Sequence, residues 1–501
     1  MRVKVKLMEA DLGNLRVALI GRGVAEELDI CPGCRLKICS NGREVTVFAG
    51  ILGSNDDVIE VPASLYKELG SPEEVEVAPF IIPPSLHYIR EKLKGAKLDY
   101  ERMYTIIKDV VSGLLTDVEI AAFVAAQTSV GMDINEMVHL TRAMVETGNK
   151  LKFEEPVYDI HSIGGVPGNS KVSIVAVPIV ASTGVFIPKT SSRAITSPSG
   201  TADTMEVFAR VEFAINEVAE LAKKSSGLII WGGKLNLAPA DDILIRVEYS
   251  LKLDPLSQMV ASILSKKLSM GVQNLLIDIP VGTGAKVENL ERGRELASIF
   301  TQVGQGLGLS IRCALTYGGQ PIGYTVGPAL EAREALETLL GGGAMSVREK
   351  ATSLAGLVLE MAGIAPRGAG KVVAKEILRS GKAYQMFRRM VEAQGGNPDV
   401  RPEDIGLGKH KVEIKAPMDG YITGVYNQPI TTLARVAGAP HDKGAGVRLY
   451  VKRGHKVRKG DVLMEIYSNS SVRLEEALKM VNKLKPITIE GMLLETYPEY
   501  V

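Results

Sequence analysis

Apolar and polar positions alternate in short runs through residues 1–80: Val3–Leu7, Arg16–Ile20, Arg35–Cys39, Glu44–Ala49, Val58–Val61 and Val75–Val77. A strand turns successive side chains to opposite faces, so this period of two predicts strands with one buried face. Turn residues separate the runs, at Asp29–Gly33 and Asn41-Gly42. The pattern predicts a β-barrel-like domain over 1–84, closed by the stiff linker Ile82-Pro83-Pro84. From Leu86 to Phe153 the period changes. Tyr104, Ile107, Val110, Val111 and Leu114 recur at helical spacing, as do Ile120, Phe123, Val124 and Gln127. Thr116-Asp117-x-Glu119 and Asp133-x-x-Glu136 read as capped helix starts. A helical bundle is therefore expected over 85–156, with a contribution from about 232–270. Beyond it, β-rich runs alternate with helices: Ser173–Val180, Gly227–Trp231, Leu275–Ile279 and Ser310–Leu315. That alternation predicts a largely parallel α/β sheet domain over 157–405. Short strands with glycine turns return in Lys411–Tyr467 and end in a helix at Leu474–Leu484, so 406–501 reads as a C-terminal α+β domain.

Composition narrows the classes. The 501 residues are 46% hydrophobic and 23% charged, as in globular proteins with large cores. Lys+Arg 59 against Asp+Glu 58 leaves +1, so no basic field points to nucleic acid or an anionic membrane. One Trp among few aromatics disfavours base-stacking platforms. The longest apolar run, Val172–Ile187, is broken by Pro178, Ser182 and Thr183 and is too short to span a bilayer. Four cysteines are too few for a disulfide framework, which favours a reducing cytoplasm. Cys31-Pro32-Gly33-Cys34 has no second Cys or His pair at metal-ligand spacing and reads as a structural turn rather than a zinc or redox site.

The chemistry concentrates in His161–Glu206. His161-Ser162-Ile163-Gly164-Gly165-Val166-Pro167-Gly168-Asn169-Ser170-Lys171 is followed by an apolar stretch, then by Lys189-Thr190-Ser191-Ser192-Arg193 and on to Gly200-Thr201-Ala202-Asp203. Glycine lets backbone approach a phosphate closely, and a helix start offers unpaired N–H groups. Two such loops suggest an anion site. The Gly-x4-Gly-Lys-Ser/Thr spacing of a nucleotide P-loop is absent. Asp203-x-x-Glu206 reads as a helix start, with Asp203 as a cap and Thr201 at the positive end of the dipole. Asp254-Pro255 opens another helix that ends at Gly271, with Ser262 and Lys266 on one face.

These motifs, in this order, resemble the nucleoside phosphorylase-II family, which includes thymidine and pyrimidine-nucleoside phosphorylases; the nearest branch is that of the archaeal AMP phosphorylases. The resemblance covers about 86–500 and rests also on Lys94-Gly95-x3-Asp99, Gly131-Met132-x3-Glu136, Leu237–Asp241, Ala261–Lys267, Val281–Ala285 and Gln320–Gly323. The extra 1–84 segment fits the AMP branch. Two positions depart from the pyrimidine pattern: Ile160 stands where the family has a phosphate-contacting Lys, and Ala194–Ser199 replaces Gly-Leu-Gly-His-Thr-Gly. Both changes favour a substrate that brings its own 5′-phosphate. Lys171 is a candidate to supply the missing charge.

The resemblance implies phosphorolysis. Inorganic phosphate attacks the anomeric carbon as the base departs; for AMP the products are adenine and ribose 1,5-bisphosphate, with CMP and UMP as further substrates. No metal and no organic cofactor is implied. Ser162, Gly164, Gly165, Lys171, Ser173, Ser191 and Thr201 are the phosphate candidates. Gly168, Ser192, Arg193, Ala194, Ile195, Thr196, Ser197, Pro198, Ser199 and Thr201 would line the nucleotide. Lys286 is a candidate charge on its phosphate or base, Ser262 and Lys266 contact the base, and His161 touches the base or orients Ser162. A purine leaves more easily when N7 is protonated, so an acid is required near it. Asp254, two turns before Ser262, is the nominee; its alternative role is a helix cap alone. Arg246 resembles the family's base-pocket arginine at an altered spacing. A homodimer or larger homo-oligomer in the cytoplasm is expected.

Three other readings compete. A pyrimidine-nucleoside phosphorylase would act on substrates without a 5′-phosphate. Anthranilate phosphoribosyltransferases share the Gly-Gly loop and a loop like Lys189–Asp203, but Tyr317–Pro321 lacks their acidic pair. A biotinyl or lipoyl carrier is suggested by Ala416–Gly420 and Val451–Asp461, yet 421–450 offers only Lys443, without flanking Met.

Overall fold

The computed structural model describes residues 1–10, 12, 15–80, 82–194 and 197–491. It divides into two units, Met1–Thr147 with Ala238–Ser262, and Gly148–Leu237 with Ile263–Val501.

The first unit opens with a closed six-stranded barrel in the order Arg2–Leu7, Val58–Val61, Val17–Ile20, Arg43–Ile51, Arg35–Ser40, Glu74–Pro79. The alternation seen in the sequence sets the strand faces: Leu36, Ile38 and Ser40 turn inward, while Arg35, Lys37 and Cys39 stay half-exposed. Two short helices, Arg22–Glu27 and Ala63–Glu68, interrupt the strands. The Cys31–Cys34 turn forms, with Cys34 N–H donating to Cys31 O (3.0 Å) and the two sulfurs joined. Helices Pro84–Leu93, Tyr100–Val111, Asp117–Ser129, Ile134–Glu146 and Pro239–Leu251 pack around Met103, Ile107, Phe123, Leu140 and Leu244. Capping boxes stand at Thr116/Glu119 and Asp133/Glu136. Arg35 ties barrel to bundle, donating to Leu114 O (2.9 Å) and pairing with Glu119.

The second unit is built on parallel strands: Tyr158–Ser162, Asn274–Val281 and Ser310–Tyr317 in one sheet, Ile187–Ser191 and Gly227–Trp231 in another. Ser173–Val180, expected as a β-rich run, is instead the body of a helix, Ser170–Ala181. Nearly every side chain of this helix is buried. An all-apolar run carries no period to separate a strand from a helix that is covered on every side. The C-terminal part holds two antiparallel sheets. Its sheet of Gly446–Leu449, Val462–Ser468 and His410–Lys415 also takes in Thr325–Val326. A helix not foreseen in the sequence, Asn427–Ala437, buries Ile430, Leu433, Ala434 and Ala437 at helical spacing. Among the described residues no helix is long and apolar enough to cross a membrane.

One buried pair fixes the start of the Ser170 helix. Lys171 is fully buried, and its ammonium donates to Thr325 O (2.6 Å), Thr325 Oγ1 (2.9 Å) and the Glu334 carboxylate. Burial alone would raise the Glu334 pKa, but Lys171 and the hydrogen bonds hold it below the usual carboxylate range. Removing one partner strands the other charge in the core. Glu334→Gln is therefore expected to destabilise the protein by about 3–5 kcal/mol, whereas Lys171→Met combined with Glu334→Leu costs less. Thermal unfolding of both variants checks this; equal losses would contradict it.

Candidate active site

The strand Tyr158–Ser162 ends in His161 and Ser162, at the C-terminal edge of its parallel sheet, where the loops of such sheets gather ligands. The chain then turns through Gly164 (φ 78°), Gly165 (φ 87°) and Gly168 (φ 80°) before the Ser170 helix begins. Ser162 Oγ accepts from Gly164 N–H (3.3 Å) and Asn169 Nδ2 (2.9 Å), which pins the loop on itself. Gly168 is required by close approach: a Cβ there would lie 2.3 Å from Ile322 O. A Cβ on Gly165 would lie 2.8 Å from Lys286 N, so the exposed Lys286 packs directly against the glycine loop. Ser173 is half-buried in the first turns of the helix.

The second loop leaves the strand Ile187–Ser191 and enters the short helix Thr201–Met205. Ser191 Oγ donates to Ile230 O (3.3 Å), and the neighbouring Ser192 is exposed. Asp203 acts as the cap: its Oδ2 accepts from Gly200 N–H (2.9 Å) and Ala194 N–H (2.7 Å). Thr201 is the half-buried first residue of that helix. A hydroxyl chain joins the two loops, with Ser170 bonded to Thr204 (2.8 Å) and Thr204 to Ser199 (2.9 Å). Ser197 Oγ donates to Ser199 O (3.3 Å) and Pro198 is buried; Ile195 and Thr196 lie outside the described residues.

Two expected anion ligands are engaged elsewhere. Lys171 has its donors taken by Thr325 and Glu334 and is fully buried, so it does not supply the charge missing at Ile160. Arg193 is held by Asp203 (3.3 Å), Glu206 (2.6 Å) and Glu212 (2.9 Å) and lies over the Trp231 ring (5.0 Å). Its guanidinium braces the loop against these three carboxylates. In both cases the sequence displays a cation but not its partners.

Behind the loops lies a buried charge cluster. Asp159 pairs with Lys267 (2.6 Å) and Lys189 (3.8 Å); Lys267 also donates to Thr190 O (2.7 Å) and Lys189 to Ile160 O (2.6 Å). Burial pulls Lys189 down to about 8, against the attraction of Asp159. His161 is pushed well below its ordinary value by burial and by the ammonium groups of Lys267, Lys189 and Lys266. Its imidazole is therefore neutral at pH 7 and offers a hydrogen bond rather than a charge. A second cluster, missed in the sequence, surrounds buried Asp278, which accepts from Thr316 Oγ1 (2.5 Å) and pairs with Lys350 (2.9 Å). The signal was present: one carboxylate inside Leu275-Leu276-Ile277-Asp278-Ile279.

The glycine-loop and second-loop candidates, with Lys266 and Lys286, belong to the second unit; Asp254 and Ser262 belong to the first. There Ser262 Oγ donates to buried Asp241 (2.8 Å), which also accepts from Gln258 (3.3 Å). Asp254 is exposed, one residue ahead of Pro255, whose carbonyl accepts from Met259 N–H (3.0 Å) at the helix start. Arg246 pairs on the surface with Asp117 (2.9 Å). Lys443, the only lysine a carrier could modify, pairs with Glu206. Among the described residues no group of three or more His, Cys, Asp or Glu side chains could hold a metal ion.

Residues 86–148 match the helical bundle domain of a glycosyl transferase family, 154–384 its a/b domain, and 421–488 the pyrimidine nucleoside phosphorylase C-terminal domain. An AMP phosphorylase of Hyperthermus butylicus is 49% identical, covering 99% of this chain and 99% of its own. One of Pyrococcus furiosus is 48% identical with the same coverage. The chain belongs to the AMP phosphorylase family. Anthranilate phosphoribosyltransferase from Thermus thermophilus shares the fold at a TM-score of 0.52, 20% identity, and coverage of 61% of this chain and 99% of that one. The AMP phosphorylase relatives extend across the N-terminal barrel, which precedes all three matched domains.

Gly168→Ala is expected to weaken binding of inorganic phosphate by about tenfold or more, since the new Cβ meets a carbonyl at a positive φ. Titration calorimetry with phosphate measures it; an unchanged affinity would remove this loop from the anion site.

Proposed function

We propose that this chain catalyses phosphorolysis of nucleoside 5′-monophosphates: AMP and inorganic phosphate give adenine and ribose 1,5-bisphosphate, and CMP and UMP are further substrates. The observation that carries the reading is identity of 49% and 48%, over 99% of the chain, with proteins named AMP phosphorylase. The two hydroxyl-rich loops joined through Ser170, Thr204 and Ser199 support it, because the reaction brings two phosphate groups to one ribose.

In this mechanism an oxygen of phosphate attacks C1′ as the C1′–N9 bond breaks with its electron pair moving onto adenine. Ser162, Gly164, Gly165, Ser173, Ser191 and Thr201 hold the attacking phosphate. Gly168, Ser192 and the backbone and hydroxyls of 194–199 receive the nucleotide's own, with Lys286 beside the glycine loop. Neutral donors fixed before the reaction stabilise charge without reorganising. Ser262, Lys266 and neutral His161 contact the base, and Asp254 protonates it at N7. Nothing in this displacement is oxidised or reduced, and it calls for no carrier group.

The same reading divides the chain at residues 84, 156 and 405, with about 232–270 returning to the helical domain and 406–501 forming a barrel-sandwich-like α+β domain. It makes the enzyme a cytoplasmic homodimer or larger homo-oligomer. The pyrimidine-nucleoside alternative draws on the shared motifs and on the C-terminal domain match.

Phosphate-dependent base release from AMP, CMP, UMP, adenosine and thymidine, assayed in parallel, separates the two. The monophosphates are expected to react and the nucleosides to be poor substrates; equal or better activity on nucleosides overturns the reading. Asp254→Asn is expected to lower kcat for AMP by about a hundredfold or more with an unchanged melting temperature. Full activity in that variant would dismiss Asp254 as the acid.

A further inference from the structure

The nucleotide loop is acidic where it should receive an anion. Asp203, Glu206 and Glu212 all converge on the single cation Arg193. Exposed Lys234 reaches Glu212 only at 3.7 Å. The opposing charge arrives from the C-terminal domain. Lys443 pairs with Glu206, and Arg435 donates through its guanidinium to Ser197 O (3.1 Å). That carbonyl belongs to the Ser197–Pro198 peptide, which has an acceptor and, because of the proline, no N–H. A peptide of this kind can only repel a phosphate oxygen. Arg435 occupies its acceptor and adds a positive charge at the same point.

Arg435 stands in the last turn of the Asn427–Ala437 helix, about 16 Å long at 1.5 Å per residue. At the other end, buried Asn427 donates from Nδ2 to Gly318 O (2.8 Å). A Cβ on Gly284, two residues before Lys286, would lie 3.8 Å from Asn427 Cβ. One helix therefore meets the loop that leads to Lys286 with its first residue and the nucleotide loop with its last turn.

We infer that the Asn427–Ala437 helix is a strut between these two loops, and that Arg435 is a positioning residue that adapts the second loop to a substrate bearing a 5′-phosphate. The inference rests on the nucleotide reading of that loop. It assigns the C-terminal domain a part in substrate selection.

Arg435→Ala and Arg435→Lys in the full chain test it, with AMP varied at saturating phosphate and phosphate varied at saturating AMP. Loss of a charge-assisted hydrogen bond at the loop is expected to raise KM for AMP by about tenfold, leave KM for phosphate within about twofold, and be partly restored by lysine. An unchanged KM for AMP overturns the inference. So does an equal rise in both constants with a lower melting temperature, which would make Arg435 a fold residue only. Hydrogen exchange gives a readout that does not depend on turnover: amides of 192–194 and 197–200 should exchange faster in Arg435→Ala and those of the parallel strands should not. No change in the loop would overturn the strut whatever the substrate. A wild-type chain that releases no adenine from AMP would instead overturn the nucleotide reading and leave the exchange result to judge the strut.

Discussion

The lysines and arginines nearest the two loops are largely neutralised by carboxylates of the same chain, and the rest of the site depends on this. A charge taken out of water is costly unless a partner and hydrogen bonds compensate it. Lys171 has Glu334, Lys267 and Lys189 share Asp159, and Arg193 faces Asp203, Glu206 and Glu212. These pairs join the sheet, the Ser170 helix and the loops into a fixed frame. At the glycine loop the frame holds Gly164, Gly165 and Gly168 at positive φ and the Ser162 hydroxyl, with Lys286 packed beside Gly165. Under the proposed function, a loop held in this way is set before phosphate arrives, as suits a reaction in which charge shifts between phosphate, sugar and base.

Coupling between the loops follows from the same frame. Ser170 opens the helix behind the glycine loop and Ser199 lies in the second loop, yet Thr204 bonds to both. Displacing one loop therefore disturbs the other. The C-terminal domain adds a second connection through Asn427, Arg435 and Lys443, each of which bonds to or pairs with the α/β part.

Much of this was legible in the sequence wherever the information was local. The barrel follows from period-two alternation, and the helix starts at Thr116 and Asp133 follow from their boxes. The two loops were recognisable from glycine and hydroxyl spacing. What was not legible involved distant partners or absent periods. Lys171 looked like a phosphate ligand because a sequence shows charge and not neutralisation; Glu334 lies far along the chain from Lys171. Ser173–Val180 looked β-rich because its apolar residues face a protein interior all round. The Asn427–Ala437 helix was hidden by the glycine- and proline-rich strands around it, although its buried residues keep helical spacing.

The most direct test of the whole account is the fate of the attacking phosphate. AMP incubated with radiolabelled inorganic phosphate should yield adenine and an equal amount of ribose 1,5-bisphosphate carrying the label at C1. Adenine released together with unlabelled ribose 5-phosphate would mean that water is the nucleophile, and would contradict the account.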